Sequence, residues 1–187
     1  MFKYSKIMPY PINIKKKDLK MAKYIITQFG GPDGEIGAAL RYFSQKFSMP
    51  DDRGRALLND IATEELGHAE MIATMVHSLI KDASLKEIKE AGLSEYYVSH
   101  GKGIYLCDQN GIPFNAACFQ STSDVFTNLS EDMAAEEKAR ATYENLIDLS
   151  EDEEVTKVLL FLRQREIVHF NRFKELYNIY KRELKSK

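Results

Sequence analysis

Two helical segments of this chain each carry a glutamate three residues before a histidine. The first pair is Glu65 and His68, and the second is Glu166 and His169. Residues three apart lie on the same face of an α-helix, so each pair presents a carboxylate and an imidazole together. Both side chains are metal-ligand types. The sequence therefore favours a fold in which two helices point the same chemistry at a shared interior.

Apolar periodicity places both pairs on the inward stripe of their helices. The first stripe is Leu58, Ile61, Glu65, His68, Ile72, Met75 and Leu79, and the second is Val155, Leu159, Leu162, Glu166, His169, Phe173, Leu176 and Tyr180. One alternative is that the two glutamates are surface acids and the two histidines are ordinary core residues. However, the pattern occurs twice and lies in an apolar stripe, where an uncompensated carboxylate costs several kcal/mol. Divalent cations are the obvious compensation.

Composition narrows the class of protein. The 187 residues suit one domain, and 26 basic against 28 acidic residues leave a net charge of −2, so we expect no nucleic-acid partner. No apolar run approaches the roughly 20 residues of a membrane span, and the N-terminus lacks the apolar core of a secretory signal. We expect a cytoplasmic protein without a membrane partner. Cys107 and Cys118 fit no disulfide or zinc framework and are predicted to be reduced.

Turn and capping signals divide the chain into an arm and a bundle. Residues 1–17 contain Pro9 and Pro11 and predict an extended N-terminal arm that packs on a neighbouring subunit. Residues 18–187 then form a single domain. Its helices are predicted at about 18–49, 53–81, 122–149 and 154–182. The first helix should be broken at Gly30-Gly31-Pro32, and the third helix should start at Ser121 or Ser123.

Residues 82–121 form a long connection between the second and third helices. Glycines at positions 92, 101, 103 and 111 interrupt it, and residues 104–111 suggest a small hairpin. A connection of this length can carry the chain back along the full height of a bundle. We therefore predict an all-α, ferritin-like four-helix bundle with one long crossover connection.

Two further glutamates lie on inward stripes. Glu35 shares a helix face with Ala39 and Tyr42, and Glu136 follows Leu129 in the third helix. The predicted stripe of that helix is Phe126, Leu129, Met133, Glu136, Arg140, Tyr143 and Ile147. An alternative for Glu136 alone is a polar residue that sets helix register.

The combined set has four carboxylates and two imidazoles. Its members are Glu35, Glu65, His68, Glu136, Glu166 and His169. These donors suit iron(II) or manganese(II), and the missing thiolates argue against a structural zinc site. Peroxide or dioxygen is the natural substrate of two such metals held together.

Four motifs resemble those of manganese catalases. They are Gly30-Gly-Pro-Asp-Gly-Glu35, Thr63-Glu-Glu-Leu-Gly-His68, Ala134-Ala-Glu-Glu-Lys-Ala-Arg140 and Arg165-Glu-Ile-Val-His169. The whole chain is similar to the short spore-coat, CotJC-like branch of that family. The resemblance implies two manganese ions, with iron as the alternative that spacing leaves open. The ligands that it implies are Glu35, Glu65, His68, Glu136 and His169, with Glu65 bridging. It makes Glu166 an outer-sphere base and Tyr42 an outer-sphere residue.

Two departures from the family pattern bear on function. Some members have an arginine directly before the third-helix ligand, where this chain has Ala135, and full-length members extend beyond the fourth helix. The expected activity is disproportionation of hydrogen peroxide to water and dioxygen. Alternatives are a structural spore-coat protein with a vestigial metal site and a diiron peroxidase or oxidase. The resemblance also implies a homo-oligomer, with other spore-coat proteins as further partners and the spore coat as a second location.

Overall fold

The computed structural model describes residues 7–93 and 102–184 of the chain. Its helices are α1 (Leu19–Ile25), α2 (Thr27–Gly30), α3 (Glu35–Gln45), α4 (Asp52–Ile80), α5 (Leu85–Glu90), α6 (Val125–Leu149) and α7 (Glu153–Leu184). Single 3₁₀ turns occupy Lys46–Ser48 and Ala116–Cys118. The long helices α4, α6 and α7 pack with α3 as a four-helix bundle, so the predicted fold class is confirmed. Within these described ranges, no helix has both the length and the apolar character that crossing a membrane requires.

The first predicted helix is divided into α1, α2 and α3. Asp18 caps α1 by accepting a hydrogen bond from the Met21 N–H. The break predicted at the glycines is confirmed, since α2 ends at Gly30 and α3 begins only at Glu35. A side chain at Gly30 would collide with the backbone of the crossover at Leu106 and Cys107. The glycine therefore permits the close approach that holds the crossover beside the start of α3.

Both stripes predicted to carry the Glu-x-x-His pairs are buried along their full length in α4 and α7. Asp51 begins α4 by accepting from the Gly54 N–H, and the same carboxylate accepts a hydrogen bond of 2.6 Å from the Tyr180 hydroxyl of α7. Short connections join α3 to α4 and α6 to α7, as expected for antiparallel neighbours.

Helix α6 departs from the sequence prediction in its start and in its buried face. Asp124 rather than Ser121 or Ser123 caps it, by accepting from the Thr127 N–H. Three members of the predicted stripe are buried and four are part-buried, namely Phe126, Met133, Arg140 and Ile147, of which all but Arg140 pack against the core clusters. The buried positions that the prediction missed are Asn128, Asp132, Ala135, Ala139 and Leu146. Polar and small residues form much of this face, so apolar periodicity could not find it.

In its described part, the crossover contains a helix, α5, that the sequence pattern did not predict. Ser84 and Glu87 form a reciprocal capping box at the start of α5, and Ile88 anchors the helix in the core. The suggested hairpin is reduced to a tight turn, in which one antiparallel bridge joins Cys107 to Pro113. Asp108 stabilises this turn by accepting from two backbone N–H groups. The rest of the crossover prediction, residues 94–101, lies outside the described residues.

Two apolar clusters lie on either side of the polar pairs. One contains Met75 of α4 and Leu159 of α7, and the other contains Leu58 of α4 and Phe173 of α7. Residues 7–17 have no regular secondary structure, and part of this segment packs on the chain's own bundle. Tyr10 stacks on Phe161 with ring centroids 5.1 Å apart. Both cysteines are thiols, with Cys107 buried and Cys118 part-buried.

Candidate metal centre

All six residues of the predicted donor set meet between the two apolar clusters. Helix α3 supplies Glu35, α4 supplies Glu65 and His68, α6 supplies Glu136, and α7 supplies Glu166 and His169. Each is at most 3% exposed. Their donor atoms form two overlapping groups with room for a cation, each within 4.8 Å. One is Glu35, Glu65, His68 and Glu166, and the other is Glu65, Glu136, Glu166 and His169.

Glu65 is the carboxylate closest to both histidines. Its two oxygens lie 2.7 Å from His68 Nδ1 and 2.8 Å from His169 Nδ1. Glu35 and Glu136 occupy opposite ends, at 3.6 Å from His68 Nδ1 and 3.5 Å from His169 Nδ1, respectively. Glu166 approaches a ring nitrogen only to 3.8 Å, at His68. The arrangement is therefore nearly symmetric, with Glu65 at its centre and Glu166 shared by both groups at a slightly longer distance.

Several buried atoms of this cluster have no hydrogen bond of acceptable geometry within the described residues. They are Glu65 Oε1, His68 Nε2, Glu136 Oε2, Glu166 Oε1 and both ring nitrogens of His169. Leaving such groups unpaired is costly for a fold. Oxygen and imidazole nitrogen donors suit manganese or iron ions. The residues present thus fit a pair of divalent cations, which would satisfy the inward-facing members of the set.

Burial and mutual repulsion control the charge of the cluster in the absence of cations. Burial and then the charge of Glu65 raise the pKa of Glu35 to about 7, and the same causes in the same order raise the pKa of Glu136 and Glu166. Burial also acts to raise the pKa of Glu65, but the charges of His169 and His68 outweigh it and lower that pKa. Of the four inward carboxylates, Glu65 is therefore the one that most favours its ionised form, and it lies where the two groups overlap.

Two tyrosines clamp the end carboxylates in a reciprocal pattern. Tyr42 of α3 donates its hydroxyl to Glu136 of α6, and Tyr143 of α6 donates to Glu35 of α3. Each tyrosine follows the glutamate of its own helix by seven residues. The family resemblance implies Tyr42 beside the centre, but the contact of Tyr143 was not predicted. The repeated seven-residue spacing was the sequence signal that could have identified it.

A fifth carboxylate, Glu64, contacts the other side of both imidazoles. It lies 3.6 Å from His68 Nε2 and 3.2 Å from His169 Nε2, and Arg165 holds it from α7. The sequence pattern missed Glu64 because it lies one residue off the apolar stripe. Nothing in α4 alone distinguishes it from an exposed acid.

A small cavity reaches the centre between α3 and α6. It measures about 10 Å³, which is about the room for one water molecule. Its lining residues are Asp33, Glu35, Ala38, Arg41, Tyr42, Ala135, Glu136, Ala139 and Glu166. The small side chain of Ala135, at the position where the resemblance gives some members an arginine, is therefore part of the wall of this cavity.

Beside the cavity, a buried polar cluster extends the site along α6. Asp132 is fully buried with neither oxygen hydrogen-bonded among the described residues, and Arg41 and Gln45 of α3 are also buried. Arg41 donates to the carbonyl oxygens of Cys118 and Phe119. It therefore anchors the end of the crossover on α3, close to the centre.

Fold and site together define a ferritin-like bundle with a dinuclear, carboxylate-rich metal centre. The family model for manganese containing catalases matches residues 1–185, so the chain belongs to the manganese catalase family. This family implies a dinuclear manganese centre, and the two buried donor groups offer places for its ions.

Relatives of this chain include protein CotJC and manganese catalases. The chain is 48% identical over 183 residues to protein CotJC of Bacillus subtilis (strain 168), covering 98% of this chain and 96% of that protein. It is 32% identical over 185 residues to a probable manganese catalase of Clostridium acetobutylicum, covering 98% of this chain and 82% of that protein. The crystal structure of KatB, a manganese catalase from Anabaena, superposes with a TM-score of 0.86 at 34% identity. That match covers 95% of this chain and 80% of KatB.

Proposed function

We propose that this protein disproportionates hydrogen peroxide to water and dioxygen at a dinuclear manganese centre. The observation that carries the proposal is the overlap of the two donor groups, which share Glu65 and Glu166. Two cations in these groups would be neighbours joined by carboxylate. Membership of the manganese catalase family supports manganese over iron.

The geometry supports different roles for the two shared glutamates. Glu65 lies within 2.8 Å of both histidines, which suits a bridging ligand. Glu35 and His68 would complete the ligands of one ion, and Glu136 and His169 those of the other. Glu166 lines the cavity together with Glu35 and Glu136 and is slightly farther from the imidazoles, and it is the family resemblance that favours a place beside the metals rather than on them.

Proton transfer is the contribution that the chain itself must make. When bound, the manganese pair supplies the two-electron redox change. Oxidation of one peroxide to dioxygen releases two protons and two electrons, and reduction of a second peroxide to two water molecules consumes the same number. Glu166 is buried where the cavity meets the centre, so its carboxylate can accept one of the two protons in the first half and return it in the second. Tyr42 holds Glu136 in place during both halves.

Metal content and oxygen evolution test this function together. The chain is purified, stripped with chelator and reloaded with manganese or with iron. Plasma mass spectrometry then measures bound metal, and an oxygen electrode measures gas release from peroxide. We expect the manganese-loaded protein to evolve oxygen and the iron-loaded protein to do so far less. Full manganese loading without oxygen release would contradict the proposal and favour a structural protein with a vestigial site.

The similarity to CotJC supports a second proposal about location and partners. That relative matches nearly the full length of both chains, so we propose that this protein associates with the spore coat. Antibody detection in coat extracts of the host's purified spores tests this. Recovery solely in the soluble fraction of the mother cell would contradict it.

We further propose that the protein is a homo-oligomer. Membership of the manganese catalase family supports this, since the resemblance implies an oligomer, and Phe47 and Leu160 expose 78% and 47% of their surface, which an interface would cover. Light scattering after size exclusion should give more than one chain per particle. A monomeric mass across all usable concentrations would contradict this.

A further inference from the structure

Glu64 faces the two histidines from the side opposite the four inward carboxylates. Each imidazole points Nδ1 at Glu65 and Nε2 at Glu64. One Glu64 oxygen lies 3.6 Å from His68 Nε2, and the other lies 3.2 Å from His169 Nε2. Both Nε2 atoms are buried and lack a well-formed hydrogen bond within the described residues. A single carboxylate is therefore shared between histidines from two different helices.

Arg165 fixes Glu64 in this position. Its guanidinium donates from Nε to one Glu64 oxygen at 2.6 Å and from a terminal nitrogen to the other at 3.3 Å. A two-point contact of this kind restrains the plane of the carboxylate as well as its position. The arginine directly precedes Glu166, as Glu64 directly precedes Glu65. The contact between Glu64 and Arg165 thus connects α4 to α7.

We propose that Glu64 is a positioning residue that orients His68 and His169 together for binding a metal pair. This inference rests on the proposed function for the identity of the metal but not on turnover. A neutral imidazole offers Nδ1 to a cation only when its hydrogen is on Nε2. An acceptor opposite Nε2 selects that form and fixes the ring orientation. Glu64 has two oxygens, and so provides one acceptor for each histidine.

The substitution Glu64→Gln tests this role with little change in side-chain size. The amide keeps one acceptor oxygen but turns its NH₂ toward the second Nε2–H, so it cannot serve both histidines. Loss of such a partner typically weakens metal binding about 10- to 100-fold. We therefore expect a Kd for Mn²⁺ weaker by about that factor in the chelator-stripped full chain, measured by calorimetry. The visible spectrum of the Co²⁺-loaded variant should also shift, since the ring orientation changes.

Asp60→Asn provides a matched control. Asp60 of α4 pairs with Arg172 of α7 at 2.6 Å, so it also joins these two helices, but its carboxylate is not among the groups around the histidines. The control should bind Mn²⁺ and Co²⁺ as the wild type does, and circular dichroism should show that both variants fold without metal. Wild-type Mn²⁺ affinity in Glu64→Gln, or an equal loss in both variants, would overturn the proposal. The binding measurements use no peroxide and therefore do not depend on turnover. If the wild-type protein binds manganese but releases no oxygen from peroxide, the proposed function is contradicted and the role of Glu64 is not.

Discussion

Glu166 is buried and lies on the cavity wall, as Glu35 and Glu136 do, but it is slightly farther from the imidazoles, at 3.8 Å from the nearest ring nitrogen. Burial, followed by the charge of Glu65, raises its pKa. A carboxyl group in such a place holds a proton more readily than one in water. These properties suit a group that takes and returns protons beside the metals.

The variant Glu166→Gln should separate proton transfer from metal binding. The amide keeps the shape of the side chain but cannot accept a proton, and general acid–base catalysis typically contributes about 100- to 10,000-fold. We expect the manganese content of the wild type and a loss of oxygen evolution within that range. Mass spectrometry and the oxygen electrode measure the two quantities on one sample. Undiminished activity with full metal would assign proton transfer to another group.

Tyr143 and Tyr42 act on the two end carboxylates, and the symmetric pattern predicts similar consequences for removing either hydroxyl. Without the donor, Glu35 or Glu136 is free to rotate away from its metal. We expect Tyr143→Phe and Tyr42→Phe each to weaken Mn²⁺ binding about 10-fold, by the same argument that applies to other groups supporting a ligand. Calorimetry on the chelator-stripped protein measures this.

Tyr180→Phe is the control for both tyrosine variants. It removes a hydroxyl that donates to the helix cap Asp51, away from the centre. This control should lose stability but keep its Mn²⁺ affinity. Equal affinities in all three variants would show that the hydroxyls next to the metals do not position their glutamates.

Among the helices, α4 depends on its cap at Asp51, whose carboxylate has three hydrogen-bond donors. They are the Gly54 N–H, the Tyr180 hydroxyl and Arg53. Burial acts to raise the pKa of Asp51, but the hydrogen bonds, first that from Tyr180, outweigh it and lower the pKa to about 2. An aspartate whose pKa is lower in the folded state stabilises the fold above its unfolded pKa of about 3.9. That contribution is lost as pH falls toward 2.

Asp51→Ala should therefore destabilise the metal-free protein in a pH-dependent way. Loss of an N-cap costs about 1 kcal/mol. We expect a difference of at least this size from wild type at pH 6 and a smaller one at pH 3, where protonation begins to weaken the wild-type cap as well. Urea unfolding in the presence of chelator measures both. An identical difference at the two pH values would show that the charge of Asp51 contributes nothing.

The sequence patterns of the helices explain why some elements could be predicted and others could not. The apolar stripes of α4 and α7 are continuous, so periodicity alone assigns to the core the glutamates and histidines that interrupt them. In α6, the buried face includes Asn128 and Asp132, and a pattern based on hydropathy assigns such residues to solvent. Glu64 could not be identified because its role depends on Arg165 and on two imidazoles, one of which belongs to another helix.

For the molecule as a whole, the position of the centre between two apolar clusters ties metal binding to folding. Four buried carboxylates repel one another, and the tyrosine hydroxyls and histidines compensate only part of their charge. Divalent cations would remove that repulsion and join the four helices that supply the donor groups. The metal-free protein should be the less stable form, because binding occurs only in the folded state.

The stability of the loaded protein should therefore rise with free Mn²⁺. A ligand at 100 times its Kd adds about 2.7 kcal/mol per site, and each kcal/mol raises Tm by about 2–4 °C in a chain of this size. We expect a Tm increase of at least about 5 °C over the chelated protein on this basis.

His169→Ala removes a ligand of one donor group, so it should bind fewer ions and lose at least half of the increase. His77→Ala, at an exposed position of α4, is the control and should keep all of it. Scanning calorimetry with and without chelator, paired with metal analysis, measures the effect. A His169→Ala protein that retains two ions per chain and the full Tm increase would show that the metals are held elsewhere.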